Sequence, residues 1–177
     1  FLAGYTNSGA GTTIATVGSH QATIGGGVDA FLVKFNSAGV RQWGTYYGGT
    51  GNDYGYSCKT DGAGNVYMTG YTGTATSVLI ASAGSHQAAY GGSNDAFLVK
   101  FNSAGVRQWG TYYGGGFNDV LSSVAVDLSG NIYLSGWTLG GAVVSVGCHQ
   151  PTIGGGQDCM FIKLNSAGIR QWGTFYG

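Results

Sequence analysis

The sequence predicts an all-β fold of repeated four-stranded antiparallel sheets, on three observations. The chain repeats itself with a period of about 66 residues, two kinds of short turn recur in each repeat, and no stretch sustains a helical period. The stretch "DAFLVKFNSAGVRQWGTYYGG" stands twice, letter for letter, at residues 29–49 and 95–115, and an altered copy, "DCMFIKLNSAGIRQWGTFYG", occupies residues 158–177. A catalytic centre is needed once, whereas a building unit is needed as often as the architecture repeats.

Each element of the second repeat can be justified in order. Strand A is "YSCKTD" (56–61) and strand B is "NVYMTGYT" (65–72), joined by "DGAGN". Strand C is "DAFLVKFN" (95–102) and strand D is "VRQWGTYY" (106–113), joined by "NSAG". Strand C alternates, with Phe97, Val99 and Phe101 on one side and Ala96, Leu98 and Lys100 on the other, the period of two expected of a sheet packed on its faces. In both turns an Asp or Asn side chain can bond the following backbone, and a Gly supplies a positive φ. "GGTGNDYG" (48–55) carries the chain from strand D to the next strand A. Gly4-Tyr5-Thr6, Gly70-Tyr71-Thr72 and Gly136-Trp137-Thr138 mark strand B of the three repeats, so the chain reads B-C-D, A-B-C-D, A-B-C-D.

Four antiparallel strands per unit with constant turns is the arithmetic of a β-propeller blade. The expected divisions are a partial blade at 1–49 and complete blades at 50–115 and 116–177, all in one propeller-type domain. That makes about two and three-quarter blades of a larger propeller or assembly, because propellers close with about four to eight blades. Phe1 is not an initiator Met and no secretory signal is visible, so the 177 residues are expected to be a portion of something longer.

Composition narrows the function. The 36 glycines lack a Gly-X-Y period, which excludes collagen, and 43% hydrophobic residues against 8% charged ones exclude a solvating disordered chain. Seven basic and seven acidic residues cancel, with no Lys/Arg cluster to track a nucleic-acid backbone. No apolar run approaches the length of a membrane-spanning helix.

The polar residues that invite a functional reading all recur. The pairs His20-Gln21, His86-Gln87 and His149-Gln150 form a row of ligand-binding candidates, able to hydrogen-bond a sugar or partner, or else to tie each loop to its neighbour. One His per blade is too sparse for a tetrahedral zinc site, and no metal or other cofactor is expected. Asp29, Asp95 and Asp158 precede strand C, Asp53 and Asp119 precede strand A, and Asp61 and Asp127 follow it. None stands out as half of a unique carboxylate pair. Asp61 and Asp127 lack the spaced oxygen ligands of a calcium loop, and the Gly-rich pieces "GGTGND" and "IGGGVD" lack the Lys-Ser/Thr of a phosphate cradle. Trp43, Trp109 and Trp172 read as packing between blades, with Arg41, Arg107 and Arg170 beside them as cations that could cover the rings.

The cysteines break the pattern. Cys148 stands where other repeats have Ser19 and Ser85, and Cys159 where they have Ala30 and Ala96. Both fall in one blade, so a Cys148–Cys159 disulfide with Cys58 left free is the expectation, in keeping with an oxidising, extracellular setting.

The run "GGTGNDYGYSCKTDGAGNVYMTGYT", followed by "GSHQAAYGGSNDAFLVKFNSAGVRQWGTYYGG", resembles the bacterial β-propeller repeat family called SBBP repeats. The resemblance implies secreted or cell-surface bacterial proteins and supplies no catalytic residue set. The expected function is therefore a non-enzymatic extracellular structural or adhesion module that mediates protein or surface interactions. The alternatives are a lectin-like propeller with one weak glycan site per blade, an enzyme whose unique centre lies in further blades, and a subunit of a self-assembling extracellular structure. Expected partners are further repeats of the same chain or neighbouring copies, with glycans or surface proteins as possible ligands, and neither nucleic acid nor membrane insertion.

Overall fold

The structure, a computed structural model, describes residues 1–8, 14–141 and 144–177. These residues form eleven strands and no helix: β1 (Leu2–Thr6), β2 (Asp29–Phe35), β3 (Arg41–Tyr47), β4 (Asp53–Thr60), β5 (Val66–Thr72), β6 (Asp95–Phe101), β7 (Arg107–Tyr113), β8 (Asp119–Val126), β9 (Ile132–Thr138), β10 (Asp158–Leu164) and β11 (Arg170–Tyr176). They pair as three antiparallel meanders, β1-β2-β3, β4-β5-β6-β7 and β8-β9-β10-β11. These are propeller blades, the first without a strand A, and the three sheets do not close a ring.

Local chemistry sets the hairpins. Asn36, Asn102 and Asn165 each accept two backbone N–H bonds at 2.9–3.1 Å from residues two and four further on, the side chain standing in for part of the turn. Asp61 and Asp127 do the same at the A–B turns. Strand A begins earlier than the sequence suggested, at Asp53 rather than Tyr56. A bulge between Gly55 and Ser57 leaves Tyr56 unpaired, so the ladder resumes beyond it and takes in Asp53-Tyr54-Gly55. The matching bulge in β8 lies between Leu121 and Ser123.

The sheets stack face to face through the alternation seen in strand C. Phe97, Val99 and Phe101 pack with Ala30, Leu32, Tyr47, Val66 and Met68 between the first and second sheets. Ala96 and Leu98 pack with Leu134, Met160, Ile162 and Leu164 between the second and third. Leu32 and Leu98 occupy the same place in successive blades, each with no exposed surface, and each burial is worth about 2 kcal/mol. Along one side β1 lies against β4, and β4 against β8, so the inner edges of successive blades touch.

Candidate functional site

The loop between strands B and C is held to its own blade by a clasp that recurs three times. Gln87 Nε2 donates to Asp95 (2.9 Å) and to the Ala89 carbonyl (3.0 Å), while its Oε1 accepts from Gly114 N–H (2.9 Å). Gln21 makes the same three bonds, to Asp29, Thr23 and Gly48, and Gln150 makes them to Asp158, Thr152 and Gly177. Each of these amides spends both donors and one of its two acceptor sites inside the chain, which accounts for a Gln at each repeat and leaves no amide donor for a ligand.

The aspartates complete the clasps. Asp29, Asp95 and Asp158 also accept from Gly25, Gly91 and Gly154 N–H at 2.6–2.9 Å. Asp53 accepts from Gly49 N–H (2.8 Å), from Thr74 Oγ1 (2.9 Å) and from Thr72 Oγ1. Burial pushes the Asp29, Asp53 and Asp119 carboxyls above their usual range, against the pull of these donors. Burial likewise raises Asp95 to about 6, with the nearby Asp119 charge adding to it. Asp95 Oδ1 and Asp119 Oδ1 are buried without a hydrogen-bond partner, and the described residues contain no cluster of three or more metal-ligating side chains. At the A–B turn Asn65 Nδ2 and Tyr67 Oη fill the second oxygen of Asp61, and Asn131 and Tyr133 do so for Asp127, which disfavours calcium there too.

The histidines lie at the boundaries between blades. His20 packs against Tyr47 of its own blade and Phe101 of the next, 5.8 and 5.9 Å between ring centroids, and its Nε2 faces the Leu79 carbonyl at 3.4 Å. Arg107 donates to that same Leu79 carbonyl and to Val78, both at 2.8 Å. His86 stacks on Tyr113 at 5.1 Å. Burial, and then the guanidinium from the following blade (Arg107 for His20, Arg170 for His86), push both imidazoles below their usual value. His149 stacks on Tyr176 at 5.8 Å, at the outward face of the third sheet.

Hydrogen bonds also cross the first boundary, the shortest from Tyr47 Oη to the Ile80 carbonyl at 2.5 Å. Trp43 Nε1 and Lys34 Nζ both donate to the Ser103 carbonyl in the C–D turn of the next blade, at 3.1 and 2.9 Å. The turn glycine, Gly105 (φ 83°), leaves only 2.8 Å between the place of a Cβ and the Trp43 ring, and Gly168 lies over Trp109 in the same way at 3.1 Å. Arg107 does not show the expected Arg–Trp stacking but turns to loop carbonyls, while Lys34 lies over Phe1, Lys100 over Tyr67 and Lys163 over Tyr133.

The expected Cys148–Cys159 disulfide is corrected by the structure, which leaves Cys58, Cys148 and Cys159 as free thiols. Cys159 stands opposite Tyr176 across the β10–β11 hairpin, and the loop residue laid over Tyr176 is His149, the neighbour of Cys148. Sequence reasoning also missed a tyrosine cluster, Tyr5, Tyr54, Tyr56 and Tyr71, with centroids 4.7–6.4 Å apart where β1, β4 and β5 meet. Its signal was a break in the repeat, since the third blade has Val120, Ser122 and Trp137 at the places of Tyr54, Tyr56 and Tyr71.

The blades and their boundary contacts define a β-propeller protein. Residues 42–74 and 108–141 match the family model of the SBBP beta-propeller repeat. Each matched segment runs from strand D of one blade through strands A and B of the next, so the repeating unit of sequence straddles the boundary it builds. A search of curated proteins finds no match to the chain.

Proposed function

We propose that the chain is a non-enzymatic structural and adhesion module that works outside the bacterial cell. The observation that supports this reading is the commitment of its recurring polar side chains: Gln21, Gln87 and Gln150 each spend both amide donors and one acceptor bond inside the blade, on an aspartate, a loop carbonyl and a glycine N–H. What the repeat presents to other molecules is surface and loop rather than a set of reactive groups. The same geometry counts against a lectin-like row of His–Gln sites, because the amides are spent and His20 and His86 are partly covered by the following blade. The experiment is labelling of intact source cells with a membrane-impermeant amine reagent, followed by measurement of cell attachment after the gene is deleted. Labelled protein and weakened attachment are expected. An unlabelled protein, or attachment unchanged by the deletion, would overturn the reading.

A further inference from the structure

The repeat is broken at one position between the second and third blades, and the break opens a pocket. Across the first boundary the Phe101 ring lies 6.3 Å from Trp43 and 5.9 Å from His20. The third blade has Leu164 at the place of Phe101, so no ring fills the corresponding space beside Trp109 and His86. The C–D turn is also displaced along the indole. Gly105 lies over the fused bond of Trp43, with Cδ2 at 2.8 Å from the place of a Cβ, whereas Gly168 lies over the far edge of Trp109, with Cη2 nearest at 3.1 Å. Trp43 Nε1 reaches the Ser103 carbonyl, but Trp109 Nε1 has no hydrogen-bond partner among the described residues. The resulting pocket holds about 150 Å³ and lies between two complete four-stranded sheets.

Several polar groups that line it are unspent. Ser85 Oγ is buried and unpartnered. His86 stacks on Tyr113, and neither of its ring nitrogens is hydrogen-bonded among the described residues. Gln108 gives one amide donor to the Val106 carbonyl and keeps its Oε1. Ser82 and Thr111, by contrast, are bonded to Gly110 and Gln87. An indole N–H and a buried hydroxyl left without partners are costly inside a protein, and a ligand that bonds them relieves that cost. Ser19 Oγ is unpartnered at the first boundary too, but there the Trp43 N–H is spent and Phe101 takes the space.

We infer that this pocket binds one neutral sugar ring, a free hexose or the terminal hexose of a glycan, with Trp109 Nε1–H and Ser85 Oγ bonded to its hydroxyls. A cavity of about 150 Å³ accepts one six-membered ring. No Asp, Lys or Arg lines it, so an ionic ligand finds no counter-charge there. Burial, and then Arg170, hold His86 below its usual value and therefore neutral. An N–H donor, a hydroxyl, an imidazole and an amide oxygen set around a flat indole suit a ring with hydroxyls at its edge and C–H groups on its faces. This is one site at one boundary, built without the Gln87 amide, and it does not depend on where the chain works.

The test is titration of the purified protein with glucose, galactose and mannose, followed through the proton–nitrogen NMR signals of its four tryptophan indoles. At least one sugar should shift the Trp109 signal, identified by its loss in Trp109→Phe, with an affinity in the millimolar range. The Trp43 signal should stay in place, because its N–H is already bonded. Ser85→Ala, in an exposed loop, should weaken binding about threefold to tenfold. Leu164→Phe, which restores the residue of the first boundary, should abolish it; if that variant fails to fold, Ser85→Ala decides alone. No shift with any of the three sugars, a shift equally large at Trp43, or an affinity unchanged by Ser85→Ala would each overturn the inference.

Discussion

The indole Nε1–H of Trp43 and the carbonyl of Ser103 meet at 3.1 Å, although sixty residues of chain separate them. The bond places the third residue of one outer strand on the C–D turn of the next blade. It explains why that turn must end in glycine, because the adjacent Gly105 has no room for a side chain against the ring. Backbone conformation and docking both demand glycine here, and the two demands can be separated.

Gly39 and Gly105 share a turn sequence and a positive φ, yet only Gly105 touches a tryptophan. Gly39→Ala should therefore cost only the backbone strain of about 1–2 kcal/mol. Gly105→Ala should cost that and a further overpacking penalty of about 1–3 kcal/mol. Urea denaturation at low protein concentration measures both. Equal losses at the two positions would show that the Trp43 contact contributes nothing.

The glutamine clasp predicts a local effect as well as a global one. Gln87→Ala removes a donor from the buried Asp95 and the acceptor of Gly114 N–H. Leaving such groups unpaired should cost about 2–3 kcal/mol. Amide exchange at Gly114 should accelerate well before the rest of β7 responds, and uniform exchange across the second sheet would argue against a local clasp.

Three free thiols predict an ordered reactivity. Cys159 is exposed, and burial pushes the Cys58 thiol above its usual value. Labelling of the folded protein with a maleimide should modify Cys159 first and Cys58 last, and denaturation without reductant should release three titratable thiols. A count of one after denaturation would restore the disulfide.

The sheets were legible because strand and turn chemistry is local. The alternation in "DAFLVKF" and the Asn and Asp turns give strand positions without knowledge of any distant contact. The partners of Gln21 and His20 were not legible. Asp29 lies eight residues from Gln21, but Gly48 lies twenty-seven away and Leu79 fifty-nine from His20, and only the stacked blades bring them together. The start of strand A was misplaced for a related reason, since the bulge at Tyr56 shifts the period of two by one residue. Cys148 and Cys159 share a blade, but that does not bring their sulfur atoms together, because the loop lays His149 over the hairpin instead.

Acidification should strengthen the contribution of the buried carboxylates over part of the pH range, against the usual behaviour of paired carboxylates. Burial raises Asp95 from 3.8 to about 6, and Asp29, Asp53 and Asp119 move in the same direction. Below the unfolded value both states hold the proton. Between 3.8 and about 6 the folded state holds it more firmly, and above about 6 folding keeps the Asp95 charge inside. The stabilising contribution is therefore complete below the unfolded value and is lost as pH rises through about 6. Asp61 and Asp127 act oppositely. Burial lifts Asp61, but the bonds from Asn65, Ala63 and Tyr67 outweigh it, and the Asn131 side chain leads the depression of Asp127, so their contribution is lost only as pH falls below the ordinary carboxylate range. His20 and His86, held below their usual 6.5, oppose this as pH falls from about 7 to about 5. The readout is therefore the Tm of the parent minus that of Asp95→Asn, which cannot titrate, and this difference should rise as pH is lowered over that interval. A difference that falls or stays constant over this interval would refute a buried Asp95 as its source.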